Sequence, residues 1–169
     1  MLRLGTLNLP HFSRDTILKN WQLNTINAKR FSLNMISAIN NQGLLRFMLY
    51  EETMTARVLI KFMNRLVKDA GRKVFLVLDN LKVHHAKLVR RWLEKHPEKI
   101  EVFYLPSYSP ELNPDEYLNC HLKSGVRIAA PSRNIEELEK TVIGHMRMLQ
   151  KKPERVVKYF KHPSIKYAA

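Results

Sequence analysis

The amino-acid sequence predicts an α/β fold built on a sheet of mixed direction. Three observations carry this prediction: a hairpin pattern early in the chain, two short apolar strand patterns after it, and helical periodicity between and beyond those strands. Between Lys73 and Asp79, residues 74–78 form an apolar run with no polar interruption, which is typical of a strand covered on both faces. A chain of 169 residues, 45% of them hydrophobic, is long enough to bury one such core and short for two.

The first predicted element is a β-hairpin over residues 30–50. Its turn falls at residues 40–43, where Asn-Asn-Gln-Gly supplies turn chemistry between two apolar strand patterns. A helix with apolar positions at helical spacing follows. Thr53 or Thr55 can cap its start, and Gly71 ends it.

The second half of the chain alternates strands and helices. After the buried strand, Asn113 is a candidate helix cap because proline follows it at the first helical position and acids occupy the first turn. Pro153 is expected to interrupt the last helix and leave a basic tail. The predicted elements are a helix over 85–96, a strand over 100–105, a helix from 113 to about 126, and a helix from 134.

Domain organisation is predicted as a basic leader over residues 1–28 and one catalytic domain over residues 29–169. The leader has no clear period, and Asp15 is its one acidic residue before Glu51. Its leucines at positions 2, 4, 7 and 9 could form a substitute strand, but they bring no carboxylate.

The charge of the chain points to a polyanionic partner. Lysine and arginine number 29 against 15 acidic residues, a net charge of +14, and nucleic acid is the first candidate partner, with simple solubility as the alternative. Cys120, the single cysteine, excludes an internal disulfide and a thiolate metal cluster and is read as a small core residue. No run of about 18 apolar residues suggests a membrane span, so an intracellular protein without a membrane partner is expected.

Two carboxylates are the candidate site residues. Asp79 ends the buried strand, and ligands usually bind at the carboxyl ends of strands in open α/β sheets. Glu116 follows the next strand, in the first turn of a helix. Magnesium prefers such oxygen ligands, although two-metal phosphoryl transfer normally demands at least three acids. The alternatives are a turn aspartate at 79 and a capping pair between Asn113 and Glu116.

These residues stand in a motif of some length. Residues 77–80 read Val-Leu-Asp-Asn, with His84 or His85 close behind, and residues 104–116 read Tyr-Leu-Pro-Ser-Tyr-Ser-Pro-Glu-Leu-Asn-Pro-Asp-Glu, with Lys123 downstream. Together with the hairpin at 30–38, this pattern resembles the DDE domain of bacterial insertion-sequence transposases in the Tc/mariner superfamily. The likeness covers about residues 28–169.

The resemblance implies an RNase H-like (retroviral-integrase-like) mixed sheet flanked by helices. It makes Asp79 the second catalytic acid and Glu116 the third, and both would be ligands of a two-metal site holding Mg²⁺ or Mn²⁺. Lys123 and Arg127 would contact DNA. Asn80 and His84 would support the site, His84 as an orienting or capping group rather than a ligand.

The sequence departs from the family at the first catalytic aspartate. Family members carry it on the first, central strand of the sheet, and that strand is expected to be missing or replaced here. Asp15 is the one acid upstream of the hairpin. The helix-turn-helix domains that precede the catalytic domain in the family are also absent. The expectation is a truncated copy, or the second part of a product whose first half another chain supplies.

The resulting functional hypothesis is DNA transposition by a metal-dependent endonuclease and strand-transfer domain. Its expected partners are DNA, as transposon ends and target, and a second transposase chain or the missing N-terminal half. The alternatives are a catalytically inactive fragment that binds DNA or transposase, and a basic structural or ribosome-associated protein. The expected location is the bacterial cytoplasm, in association with the nucleoid.

Overall fold

The computed structural model describes residues 16–18, 33–51, 53–106, 109–129 and 132–168. Within them lie five strands: β1 Thr16–Leu18, β2 Asn34–Asn40, β3 Leu45–Tyr50, β4 Val74–Leu78 and β5 Ile100–Tyr104. The α-helices are α1 Ala56–Ala70, α2 Lys87–Glu94, α3 Pro114–Ile128, α4 Ile135–Gln150 and α5 Pro153–Tyr159. Short 3₁₀ segments cover Lys82–His85, Pro110–Leu112 and Pro163–Ala168.

The strands form one sheet in the order β3-β2-β1-β4-β5. The hairpin strands β2 and β3 are antiparallel, and β1 runs antiparallel to β2. On its other side β1 runs parallel to β4, which is in turn parallel to β5. The predicted sheet of mixed direction is therefore confirmed.

The centre of the sheet corrects one expectation from the sequence. The first, central strand was expected to be missing or replaced, yet β1 occupies that place between β2 and β4. It is a strand of three residues, in which Thr16 lies opposite Phe75 and Leu18 opposite Val77. The sequence did not reveal this strand because residues 1–28 show no clean strand or helix period. The leucines proposed as a substitute strand, and Asp15, lie outside the described residues.

Helices cover the sheet on both faces. Successive side chains of a strand point to opposite faces, so Met35, Ile39 and Val77 pack with α3, α4 and α5 on one side. Ile36 and Leu76 belong to the second core, with α1 and α2 on the other side. This double cover explains why the β4 sequence is apolar throughout.

Helix boundaries follow from local chemistry. The Thr55 side chain accepts a hydrogen bond from the Val58 amide at 3.3 Å, so Thr55, of the two predicted threonines, caps α1. Asn134 caps α4 in the same way through the Glu137 amide at 2.8 Å. The helical run ends before Pro153 as expected, since α4 stops at Gln150, but the expected basic tail is wrong, because this proline begins α5 at a position where its missing N–H costs no hydrogen bond.

Candidate active site

Asp79 lies where β4 leaves the sheet. Its strand ends at Leu78, whose carbonyl accepts a hydrogen bond from the Leu105 amide at 2.7 Å, so the pairing with β5 continues to the sheet edge. The Asp79 side chain is 34% exposed. A carboxylate in this place is anchored by a rigid strand and still reachable from solvent, which is what a ligand position requires.

His84 contacts Asp79 at both its backbone and its side chain. The His84 side chain is fully buried, and its Nδ1 lies 2.8 Å from the Asp79 carbonyl oxygen and 3.0 Å from Asp79 Oδ1. A carbonyl oxygen accepts hydrogen bonds and cannot donate, so Nδ1 carries the proton that it shares with this oxygen. The sequence placed His84 near the site as an orienting group, and this contact gives such a role a geometry.

A second contact fixes the loop after β4. His85 Nε2 lies 2.5 Å from Asn80 Oδ1, and the His85 ring packs against the Tyr104 ring with centroids 4.3 Å apart. The Tyr104 hydroxyl donates to the His84 carbonyl oxygen at 3.3 Å. Asn80 is therefore tied to the 3₁₀ segment and through it to β5.

Glu116 stands in the first turn of α3. The cap residue Asn113 accepts a hydrogen bond from the Asp115 amide at 3.2 Å, and its Nδ2 donates to Glu116 Oε1 at 3.3 Å. Asn113 thus serves as the predicted helix cap and also orients Glu116. A carboxylate at a helix N-terminus is favoured by the helix dipole, which stabilises its ionised form.

A buried pair next to Glu116 was missed by the sequence reasoning. Asp115 is fully buried, and the Ser37 hydroxyl lies 3.1 Å from each of its carboxylate oxygens. This contact ties the first turn of α3 to β2. The available signal was Ser37 itself, a hydroxyl within the apolar stretch of a strand that the helices cover on both sides.

A stripe of polar side chains runs along α3 from Glu116. At 100° per residue, Lys123 and Arg127 lie within about 20° of Glu116 around the helix axis. Cys120 is on the same side and is exposed, so its interpretation as a core residue is wrong. The two predicted DNA-contacting cations therefore share the helix face of the predicted third acid.

A pair of half-buried histidines, His121 and His145, lies between α3, α4 and α5. His121 Nδ1 lies 2.5 Å from the Tyr159 hydroxyl, and the His121 and His145 rings meet edge to face at 5.2 Å. Burial, with the positive charge of Arg155, lowers the pKa of both histidines. Burial also raises the pKa of Tyr159 to about 12. These groups therefore stay neutral near pH 7.

The described residues supply two of the three expected acids. Asp79 follows β4 and Glu116 lies in the helix that comes after β5, its parallel neighbour. Within the described ranges, no three His, Cys, Asp or Glu side chains form a group that could hold a metal ion together. Asp15, the predicted candidate for the first acid, lies outside those ranges.

Comparison with known structures defines the class of fold. The catalytic domain of Mos1 mariner transposase matches with a TM-score of 0.63 and 17% identity, over 90% of this chain and 81% of that chain. The same domain with raltegravir and Mn matches with a TM-score of 0.63 and 16% identity, over 92% of this chain and 84% of that chain. A simian T-cell lymphotropic virus intasome in complex with a PP2A regulatory subunit matches with a TM-score of 0.60 and 11% identity, over 79% of this chain and 48% of that chain. The fold is RNase H-like, as the resemblance implied.

The sequence identifies the family within this class of fold. The family model of the DDE superfamily endonuclease matches residues 21–139, and the chain belongs to this family. No curated protein matches the chain. In the part of the chain that the structure describes, no helix is both long and apolar enough to cross a membrane.

Proposed function

We propose that this chain is the catalytic domain of a Tc/mariner-like transposase that cuts and joins DNA phosphodiesters with divalent metal ions. The observation that carries the proposal is the placement of Asp79 and Glu116. One stands at the carboxyl end of a strand in the RNase H-like sheet, and the other in the first turn of the helix after the neighbouring parallel strand. Family membership supports the endonuclease chemistry.

The solved neighbours support DNA and metal as partners. Structures of Mos1 include a paired-end complex with Mn, a strand transfer complex and a catalytic domain with Mg. This chain spans about half the length of the Mos1 chains in the first two structures. By this likeness, DNA ends, target DNA and a second transposase chain are the proposed partners. The proposed location, the bacterial cytoplasm and nucleoid, rests instead on the resemblance to insertion-sequence transposases.

The donor set fits Mg²⁺ or Mn²⁺. Asp79 and Glu116 offer carboxylate oxygens, which these hard cations prefer, and such ions keep water and phosphate oxygens in their remaining positions. Bound metal would lower the pKa of an attacking water and neutralise charge on the phosphodiester. Asp15 stays the candidate for the first acid.

The surrounding residues have distinct proposed roles. His84 donates from Nδ1 to the Asp79 carbonyl oxygen and lies 3.0 Å from Asp79 Oδ1, so its proposed role is to position this residue at the end of β4. Asn80 fixes the loop through His85. Lys123 and Arg127 would contact phosphates along the face of α3 that begins at Glu116, and phosphate contacts of this kind set position rather than sequence preference.

The test is calorimetric titration of Mn²⁺ into the whole chain, with plasmid nicking measured in the same samples. We expect Asp79→Asn and Glu116→Gln each to weaken Mn²⁺ binding at least tenfold and to abolish nicking, because each removes a charged ligand oxygen. Glu111→Gln is the matched control, since Glu111 is an exposed acid in the same sequence block and lies in the 3₁₀ segment before α3.

The control should bind Mn²⁺ and nick plasmid as the unaltered chain does. Equal Mn²⁺ binding by all four proteins would contradict the assignment of Asp79 and Glu116 as ligands. Absence of nicking by the unaltered chain, with Mn²⁺ and DNA both bound, would point to the inactive DNA-binding fragment instead.

A further inference from the structure

A basic groove lies between α1 and α2, on the face of the sheet opposite α3. It has a volume of about 800 Å³, and five exposed cations line it: Arg57, Lys61, Arg65, Arg91 and Lys95. No carboxylate is among its lining residues. Within the described ranges, none of these five cations forms an ion pair. The groove therefore presents positive charge that the fold itself does not neutralise.

The cations stand in two rows. Arg57, Lys61 and Arg65 are four residues apart along α1, so they share one helix face and follow one another at intervals of about 6 Å. Arg91 and Lys95 have the same spacing at the end of α2. A regular row of charges on each wall suits a ligand with regularly spaced negative charges, and a phosphodiester chain is such a ligand.

The rest of the lining, here called the floor of the groove, is mostly apolar. It consists of Ile60, Leu88 and Trp92 with Asn64, and Leu88 is 47% exposed although it is a large aliphatic side chain. One face of Trp92 is covered by His96, with ring centroids 4.4 Å apart. A duplex presents its phosphates outward and hides its bases, whereas a single strand can turn bases or sugars toward such a floor.

We propose that this groove, formed by α1 and α2, binds a single-stranded stretch of DNA through its phosphate backbone. The inference rests on the proposed function in its choice of DNA as the polyanion, and it adds a second place on the molecule where DNA lies. The two rows of cations hold the phosphates, and the apolar floor receives the sugars and bases. Binding is independent of sequence, because the lining offers no set of side chains arranged to read base edges.

The test measures binding of a labelled single-stranded oligonucleotide by fluorescence anisotropy over a salt series, in EDTA and with the whole chain. In the groove variant, Arg57, Lys61 and Arg65 are each changed to Gln. We expect its affinity to fall at least tenfold. The slope of log K against log salt should become shallower by about 2, from roughly 0.7 for each lost phosphate contact on a single strand.

The matched control removes the same charge from the other face of the sheet. Lys140, Lys151 and Lys158 are exposed on or beside α4 and α5, and a variant with all three changed to Gln should keep the slope of the unaltered chain. Equal slopes for the groove and control variants would overturn the proposal. A loss of duplex affinity in the groove variant as large as its loss of single-strand affinity would overturn the single-stranded occupant.

Two further measurements separate this proposal from the endonuclease. The groove variant should bind Mn²⁺ as tightly as the unaltered chain does, because Asp79 and Glu116 lie outside the groove. If the oligonucleotide binds in the groove but the unaltered chain never nicks DNA, the proposed endonuclease function is refuted and the groove proposal stands. Leu88→Ser tests the floor with a single exposed side chain, and a loss of affinity without a change in salt slope is expected.

Discussion

Ser37 and Asp115 join a strand to the helix that carries Glu116. A hydroxyl that reaches both oxygens of a fully buried carboxylate satisfies a group that would otherwise be costly to bury. This hydrogen bond should stabilise the fold. Because Asp115 is the residue before Glu116, it should also fix the position of Glu116.

Ser37→Ala should destabilise the protein by about 1–3 kcal/mol, because Asp115 loses its Ser37 hydrogen bonds and stays buried. Urea unfolding of the single and double variants measures this. A neutral amide costs less to leave without that donor, so the Ser37→Ala, Asp115→Asn double variant should lose less than the sum of the two single changes. Additive losses would mean that the pair has no energetic coupling. Ser164→Ala, at a half-buried serine outside this contact, is the control.

His145 should make stability depend on pH. Burial, His121 and Arg155 lower its pKa below the ordinary value of 6.5, so the folded state resists protonation. Above pH 6.5 both states are neutral at this group and stability does not change. As pH falls below 6.5 the unfolded state takes up the proton first, and the free energy of unfolding decreases.

Denaturant unfolding between pH 8 and 5 checks the direction of this change. His145→Gln should flatten the decrease below pH 6.5, whereas His162→Gln, at an exposed histidine, should leave it as it is. Stability that rises as pH falls through this window would contradict the lowered pKa.

At the scale of elements, α3 and α4 approach each other at Gly125. A Cβ placed there would overlap Cε1 of the His145 ring, well inside van der Waals contact. The glycine is therefore required by the helix crossing rather than by backbone conformation. Its absent side chain makes room for the half-buried imidazole of His145.

Gly125→Ala should destabilise the chain by up to about 2 kcal/mol, because forcing an extra carbon into a packed site costs about 1–3 kcal/mol and the helix preference of alanine offsets about 1 kcal/mol of that. Gly144→Ala, in α4, is the control, since its Cβ would meet no atom within 4 Å and alanine favours a helix by about 1 kcal/mol over glycine. Thermal unfolding should therefore shift in opposite directions for the two variants. Melting temperatures that shift in the same direction for both variants would contradict the packing role of Gly125.

At the scale of the whole molecule, the sequence predicted the elements that have a period or a cap. The hairpin, the apolar strand before Asp79 and the helix start at Asn113 follow from local chemistry and match the structure. The roles of Asp79 and Glu116 stay predictions, as does the domain boundary at residue 28. The family motif supplied those roles, which periodicity alone could not.

What the sequence could not predict depends on distance along the chain. Ser37 and Asp115 are 78 residues apart, and Ser37 looks like any strand serine until α3 is placed above it. The exposure of Cys120 likewise depends on how α3 sits against its neighbours, because the residue type alone favours burial. The basic groove needs α1 and α2 side by side, so its two rows are unrelated in the sequence.

Helix α3 has a mechanical consequence for the sheet. Its first turn is fastened to β2 through Asp115 and Ser37, and its apolar side chains share one core with Val77 of β4. The strands β2 and β4 are not neighbours, because β1 lies between them. The helix therefore acts as a brace across β1, and local opening of the sheet at this place should be limited by that brace.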